Sequence, residues 1–305
     1  MELFRFSSCH IPVSLAAYVW TPAGEARGMV QISHGMCEYL PRYEEFAQFL
    51  CEQGYIVFGH DHLGHGNSVV DREDLGFVAS SGGAECMIRD ILSLSQLMKE
   101  RYPTLPLCLF GHSMGSFLAR AALTRREASV YSAAIICGTG GPDMPTGAGK
   151  CLANLLAGLF GERHRSKLLK RIAFAGYLAR IEKPCDPNAW LSRDDRVVQR
   201  YNADELCGFT FTVRAYGDLF DAVGEVSRKE WAQKMPKELP LLLISGEEDP
   251  VGSFGKGVRK VEDRLHQAGV RDVQCNLYPQ MRHEILNELE KETVWEDVLQ
   301  WLNKH

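Results

Sequence analysis

The sequence predicts an α/β fold, a mostly parallel sheet with helices on both faces. Three observations predict it. Short apolar runs alternate with longer segments of helical spacing along most of the chain. Several of those runs are apolar at every position, as expected of strands covered on both faces. The 305 residues, 45% hydrophobic and 24% charged, suit a large packed core rather than a disordered, collagen-like or coiled-coil chain.

The stretch from Leu3 to Trp20 reads as an antiparallel hairpin attached to the sheet edge. Ala26 to Ser33 is a strand that ends at His34-Gly35. Pro41 to Gln53 places Tyr43, Phe46, Ala47, Phe49 and Leu50 at helical spacing and stops at Gly54. Tyr55 to Phe58 is a short strand running into Gly59-His60-Asp61. Gly83 to Arg101 is a longer helix, with Ile88, Ile91, Leu92, Leu94, Leu97 and Met98 on its apolar side and Pro103 closing it. Leu107 to Phe110, Ala133 to Cys137 and Leu239 to Ser245 read as buried strands, and Val273 to Tyr278 as a later one. Asn287 to Leu302 closes the chain as a helix.

One region breaks this rhythm. From Thr139 to Glu225 the alternation stops, and helix-prone sequence follows a Gly/Pro-rich loop at 138–142. Strand-like sequence resumes afterwards, so the region reads as a helical insertion. The predicted organisation is therefore a core segment at 1–138, a helical cap at 139–225 and a second core segment at 226–305. Between Lys150 and Lys183, eight basic residues face only Glu162 and Glu182, a local net of +6 inside a chain of net charge −5. Leu152, Leu155, Leu156, Leu159 and Phe160 precede most of these charges. Such a helix can pack over an apolar pocket, or rest transiently on an anionic membrane surface.

The overall mild acidity removes the electrostatic case for a nucleic-acid partner, which needs a basic face. The first eight residues lack a basic and then apolar leader, and no apolar run approaches the roughly 20 residues that span a bilayer. The ten cysteines form no CxxC pair, which argues against zinc or iron–sulfur ligation, and the missing secretion leader argues against a disulfide framework. These features predict a cytoplasmic protein that is at most membrane-peripheral.

The chemistry concentrates at Gly111-His112-Ser113-Met114-Gly115, directly after a buried strand and directly before a helical pattern. A Gly-x-Ser-x-Gly sequence in that context makes a sharp strand-to-helix turn that raises the serine above the sheet. The helix N-terminus behind it offers free N–H groups where an oxyanion would develop. A serine hydroxyl needs a base, and the base needs an orienting acid, in the chain order serine, acid, histidine. Beyond the insertion only His266, His283 and His305 remain. His266 lies in a helical pattern and His305 is terminal, whereas His283 follows a strand and precedes a helix, so His283 is the base. Asp249, in the turn after a buried strand and fixed by Pro250, is the favoured acid. Glu248 comes next, then Glu247, Asp218 and Asp221. The two oxyanion donors are the N–H groups of Met114 and of Met36, the latter beside Gly35 in the loop after an early strand.

These motifs together resemble the α/β-hydrolase superfamily, in particular its monoacylglycerol lipase and lysophospholipase branch. His34-Gly35-Met36-Cys37-Glu38 through Arg42-Tyr43 is similar to that branch's HG-x-x-E-x-x-x-RY element, and Asp61 to Ser68 to its D-x-x-GHG-x-S loop. The GHSMG elbow, the acid turn at Gly246 to Val251 and Arg282-His283-Glu284 through Asn287-Glu288 complete the set, in order, across most of the chain. The resemblance implies an eight-stranded core, a helical cap after the sixth strand, and acyl-ester hydrolysis without cofactor or metal. Carried over, Glu38 and Arg42 become head-group or loop-bracing residues. The cluster His60, His62 and His65 then belongs to a rigid structural loop rather than a metal site. The expected substrates are monoacylglycerols, lysophospholipids or similar acyl esters. Acyl transfer or perhydrolysis on the same triad, or a small-molecule receptor on the same fold, are the alternatives.

Overall fold

The computed structural model describes residues 1–9, 13–144 and 146–305. Eight strands form one sheet: β1 (Glu2–Ser7), β2 (Ser14–Trp20), β3 (Gly28–Ser33), β4 (Tyr55–His60), β5 (Leu107–His112), β6 (Ala133–Cys137), β7 (Leu241–Gly246) and β8 (Val273–Tyr278). Their spatial order is β1-β2-β4-β3-β5-β6-β7-β8. β2 runs antiparallel to both its neighbours, and every other pair is parallel. The hairpin expected at the sheet edge is β1 and β2, although its residues 10–12 lie outside the described ones.

The pleat explains the core. Along β3, Met29 faces one apolar cluster while Val30 and Ile32 face the other. The first cluster lies under α2 (Gly83–Arg101), α3 (Met114–Ala122) and α9 (Lys256–Gln267). The second lies under α1 (Glu44–Glu52) and α10 (Lys291–Leu302). Both faces being covered, β3 to β7 are buried at every position, whereas the edge strand β8 alternates. Phe46 of α1 is held at 5.7 Å from Phe110 of β5 and at 6.1 Å from Trp295 of α10. Removing a ring packed in this way typically costs about 3–5 kcal/mol.

Element boundaries depart from the sequence pattern where side chains are claimed by tertiary bonds. The helix expected from Pro41 begins as a tight 3-10 turn at Leu40–Tyr43, and α1 proper starts at Glu44. The final helix starts at Lys291 rather than Asn287, because Glu288 turns inward to accept from the Arg282 N–H and the Arg193 guanidinium. β7 starts at Leu241, after Pro240, which has no N–H to offer the ladder.

Between β6 and β7 the chain is helical: α4 (Thr146–Phe160), α5 (Lys167–Ala173), α6 (Asp195–Ala203), α7 (Val213–Ser227) and α8 (Lys229–Gln233). Ser166 and Thr212 start α5 and α7 by accepting from Leu169 N and Ala215 N, a cap whose loss costs about 1 kcal/mol. The boundary expected at 225 falls inside α7. This helix is anchored to the core: Asp218 accepts from Gly83 N, and Val226 O accepts from the buried Arg120. Along α4, Leu152 and Leu156 pack against the core while Leu155, Leu159 and Phe160 are exposed.

The sheet also sets where a site can form. From β3 the chain passes to β4 on one side and then to β5 on the other, so the loops leaving β3 and β5 diverge at their C-terminal ends. A crevice opens at such a switch point.

Candidate active site

Ser113 occupies the turn between β5 and α3, at φ 52° and ψ −120°. A non-glycine residue there carries strain of about 1–3 kcal/mol that the surroundings must hold. They do so through the backbone. Ser113 N donates to Cys137 O on β6 at 3.0 Å, and Ser113 O accepts from Ser116 N and Ser116 Oγ. The flanking glycines are required by contact. A Cβ on Gly115 would lie 2.0 Å from Ser33 O, and one on Gly111 would lie 2.5 Å from Gly115 O. Only hydrogen at these positions lets α3 pack this closely onto β3 and β5.

The loop after β3 approaches Ser113 from the other side, since a Cβ on Gly35 would stand 3.1 Å from Ser113 Cβ. Gly35 N donates to Glu38 Oε1 at 2.6 Å, so that amide is taken. The amides of Met36 and Met114 donate to no protein acceptor among the described residues.

His283 lies in the loop after β8, and its Nδ1 is 3.0 Å from Asp249 Oδ1, within hydrogen-bond reach though not well aligned for it. Catalytic bonds often tighten only when substrate is bound. Asp249 is fully buried and aimed by Val251 N and Ser245 Oγ, which donate to its two oxygens. Three of the other carboxylates the sequence offered go elsewhere. Glu248 stands 3.5 Å from Arg180, Asp221 pairs with Lys150, and Asp218 binds α2. Gly138 lets the chain pass beside the imidazole, where a Cβ would come within 3.1 Å of His283 Cε1.

Behind these loops lies a buried ionic cluster. Glu38 Oε1 accepts from Gly35 N and from Tyr43 OH, and Glu38 Oε2 accepts from Arg42 at 2.6 Å. Arg42 also forks onto both oxygens of Glu284, at 2.9 and 2.8 Å. His112 places Nδ1 2.9 Å from Tyr43 OH and 3.3 Å from Glu38 Oε1, with Nε2 3.3 Å from His283 O. Burial alone would raise the Glu38 carboxyl, but the His112 hydrogen bond and the Arg42 charge hold it well below the usual range. Burial would lower His112, but the hydrogen bond and negative charge of Glu38, with Glu284 behind it, raise it instead. Of the two roles the resemblance offers Glu38 and Arg42, these contacts match bracing. His112, Tyr43 and Glu284 join them, although only their presence inside the motifs signalled it.

His34, His60, His62 and His65 form a separate buried group. His62 Nε2 meets Ser33 Oγ, His34 Nε2 accepts from His62 N, and His65 Nδ1 reaches Leu63 O. Burial pushes His60 and His65 down to about 3 and lowers the other two. Asp61 orders the loop by accepting from Leu40 N, Asn67 N and Tyr18 OH.

A serine on a strained elbow, a buried Asp–His pair and a glycine-bearing loop at a parallel-sheet switch point define an α/β-hydrolase. Solved structures agree. A thermostable carboxyl esterase from Bacillus coagulans, in complex with glycerol, superposes with a TM-score of 0.93 at 30% identity, over 99% of this chain and 98% of that one. A soluble variant of the monoglyceride lipase of Saccharomyces cerevisiae shares the fold, with a TM-score of 0.77 and 21% identity over 100% of this chain and 94% of its own. The sequence model of the family described as serine aminopeptidase, S33 matches residues 24–290, and the chain belongs to that family. Its relatives include the monoacylglycerol lipase of Mycolicibacterium smegmatis, 29% identical over 94% of this chain and 92% of that one. The monoglyceride lipase of Rattus norvegicus is 31% identical over 75% and 68%, and that of Homo sapiens 29% identical over 93% and 85%. The protein is a carboxylic ester hydrolase.

Proposed function

We propose that this hydrolase cleaves monoacylglycerols, lysophospholipids or similar acyl esters through an acyl-enzyme on Ser113. The observation that carries the proposal is the 3.0 Å approach of His283 Nδ1 to the buried Asp249, in a site where Ser113 is raised on its elbow. His283 Nε2 takes the Ser113 proton as Oγ attacks the ester carbonyl, and Asp249 stabilises the imidazolium. The N–H groups of Met36 and Met114 hold the oxyanion, each donor contributing about 3–4 kcal/mol to the barrier reduction. The imidazolium then protonates the departing alcohol. Water, deprotonated by His283, attacks the acyl-enzyme, and the fatty acid leaves as Ser113 recovers its proton. No step calls on a cofactor or metal.

The relatives named as monoacylglycerol and monoglyceride lipases support a lipid substrate. In this reading the cap, 139–225, covers the acyl chain with the packed side of α4, and α7 ties it to the core. The exposed Leu155, Leu159 and Phe160, next to the +6 stretch, meet an anionic membrane surface from which the substrate is taken. No helix among the described residues is long and apolar enough to cross a membrane. All ten cysteines are free, which suits a reducing cytoplasm.

Monoacylglycerols and lysophosphatidylcholines of graded chain length test the substrate class. Decanoyl and longer esters should exceed acetyl esters in kcat/KM, and the reverse order sinks the lipid assignment. Ser113→Ala should lower turnover of a p-nitrophenyl ester by at least about 10³-fold and abolish fluorophosphonate labelling. A folded variant with full turnover overturns the triad.

A further inference from the structure

A catalytic imidazole must keep its Nε2 on the nucleophile, and a misplacement of about 1 Å can cost on the order of 100-fold in rate. His283 stands in a loop that runs from β8 to α10 with only one 3-10 turn, Ile285–Asn287, inside it. On the core side it is held by Asp249, by the close approach of Gly138 and by the His112 ring at 4.7 Å.

The cap holds it from the other side. His283 N donates to Trp190 O at 3.4 Å, and Glu284 N donates to Leu191 O at 2.7 Å. Arg282 Nη1 donates to both Ala189 O and Ser192 O. Arg193 donates from N and Nε to Glu288, and Ser192 Oγ donates to Asn287 O. Residues 189–193 are thus laced along 282–288 by backbone and charged bonds. The Trp190 indole also packs on the imidazole, with ring centroids 5.0 Å apart and planes tilted by 41°. Trp190 is itself backed by Tyr177 at 4.8 Å and Phe174 at 5.9 Å, both from the stretch after α5. A continuous series of rings therefore runs from the cap through Trp190 and His283 to His112.

We infer that the cap segment 189–193 is a fixed strap for the catalytic base, and that Trp190 is a positioning residue for His283. The inference rests on His283 being the base, as proposed above. Its physical content is that the base loop has only one 3-10 turn of its own, and that the cap completes a placement the core holds from one side. The Trp190 ring restricts rotation of the imidazole, while the backbone bonds restrict translation of the loop. Displacing Trp190 then lowers the rate of the chemical step even for a substrate too short to touch the cap.

The test uses the full chain and p-nitrophenyl acetate. Trp190→Ala should lower kcat by at least about 10-fold with KM within about twofold, and should slow fluorophosphonate labelling in parallel. Trp190→Phe, which keeps a ring against the imidazole, should recover most of kcat. Wild-type kcat in W190A, a change confined to KM, or equal loss in W190A and W190F overturns the inference. Should W190A fail to fold, W190L and W190F are compared on the same criteria. His283→Ala separates the two claims. Residual turnover near wild type in H283A sinks the base assignment, whereas an inactive H283A beside an unaffected W190A sinks only the strap.

Discussion

Glu38 shows how one buried charge organises several loops. Its two oxygens hold the amide beside the oxyanion loop, the phenol of Tyr43 and the guanidinium of Arg42. Arg42 continues the chain of contacts to Glu284, the neighbour of His283. A carboxylate so placed stabilises the fold only while ionised. Because its folded value is depressed, the contribution is fully present above the unfolded value of about 4.3 and is lost as pH falls through the lower folded value. Glu38→Gln should therefore destabilise the protein by about 2–4 kcal/mol at pH 7. In denaturant titrations the gap to wild type should narrow below pH 4, and an unchanged gap would remove the ionic account.

Secondary-structure elements carry the next level of function. α3 can begin directly after Ser113 because β5 delivers a buried strand and Gly115 lets the helix rest on Ser33 O. α4 has two unlike faces, one packed on the core and one bare. Burying a Leu or Phe side chain is worth about 1.5–3 kcal/mol, enough for Leu159 and Phe160 to matter at a bilayer. The double variant L159S/F160S should bind phosphatidylcholine vesicles containing anionic phosphatidylglycerol about 10-fold more weakly, with turnover of a soluble ester unchanged. High salt should weaken wild-type binding as the basic stretch is screened. Equal co-sedimentation of both proteins would dismiss this face as a membrane contact.

At the scale of the whole molecule, the buried histidines couple stability to pH. His34, His60, His62 and His65 are fully buried and have lowered values, so they stay neutral in the folded chain while the unfolded chain protonates them below about 6.5. At these four sites the unfolded state then binds more protons, so their contribution to stability falls as pH drops from 6.5 toward 3, against a smaller opposing one from the raised carboxyls of Asp61 and Asp218. Each such histidine contributes about 1.4 kcal/mol per pH unit in that window. His112, raised instead, is protonated in both states there and does not offset the slope. Denaturant midpoints measured from pH 7 to pH 4.5 should decline steeply, and a flat profile would contradict neutral burial.

Much of this molecule was legible in the sequence because its signals are local. The apolar runs at Leu107 to Phe110 and Ala133 to Cys137 are strands because nothing else suits a short segment buried on both faces. α2 begins and ends where its spacing and Pro103 placed it. Gly111, Ser113 and Gly115 announce the elbow because its sterics depend on neighbours two residues away. Boundaries slipped where distant side chains intervened, as when Glu288 delayed α10 by binding Arg193 and Arg282. The ionic cluster of Glu38, Arg42, His112 and Glu284 joins residues up to 242 positions apart, so no spacing could disclose it. Trp190 left no signal at all, sitting in irregular sequence between charged residues. The sequence by itself determined the alternating layers and the strained Gly-x-Ser-x-Gly turn at Ser113, because these follow from backbone sterics and short-range periodicity. Only the tertiary structure brought Asp249 to His283 and laid Trp190 against its ring, because chain closure, not local propensity, brings those groups together.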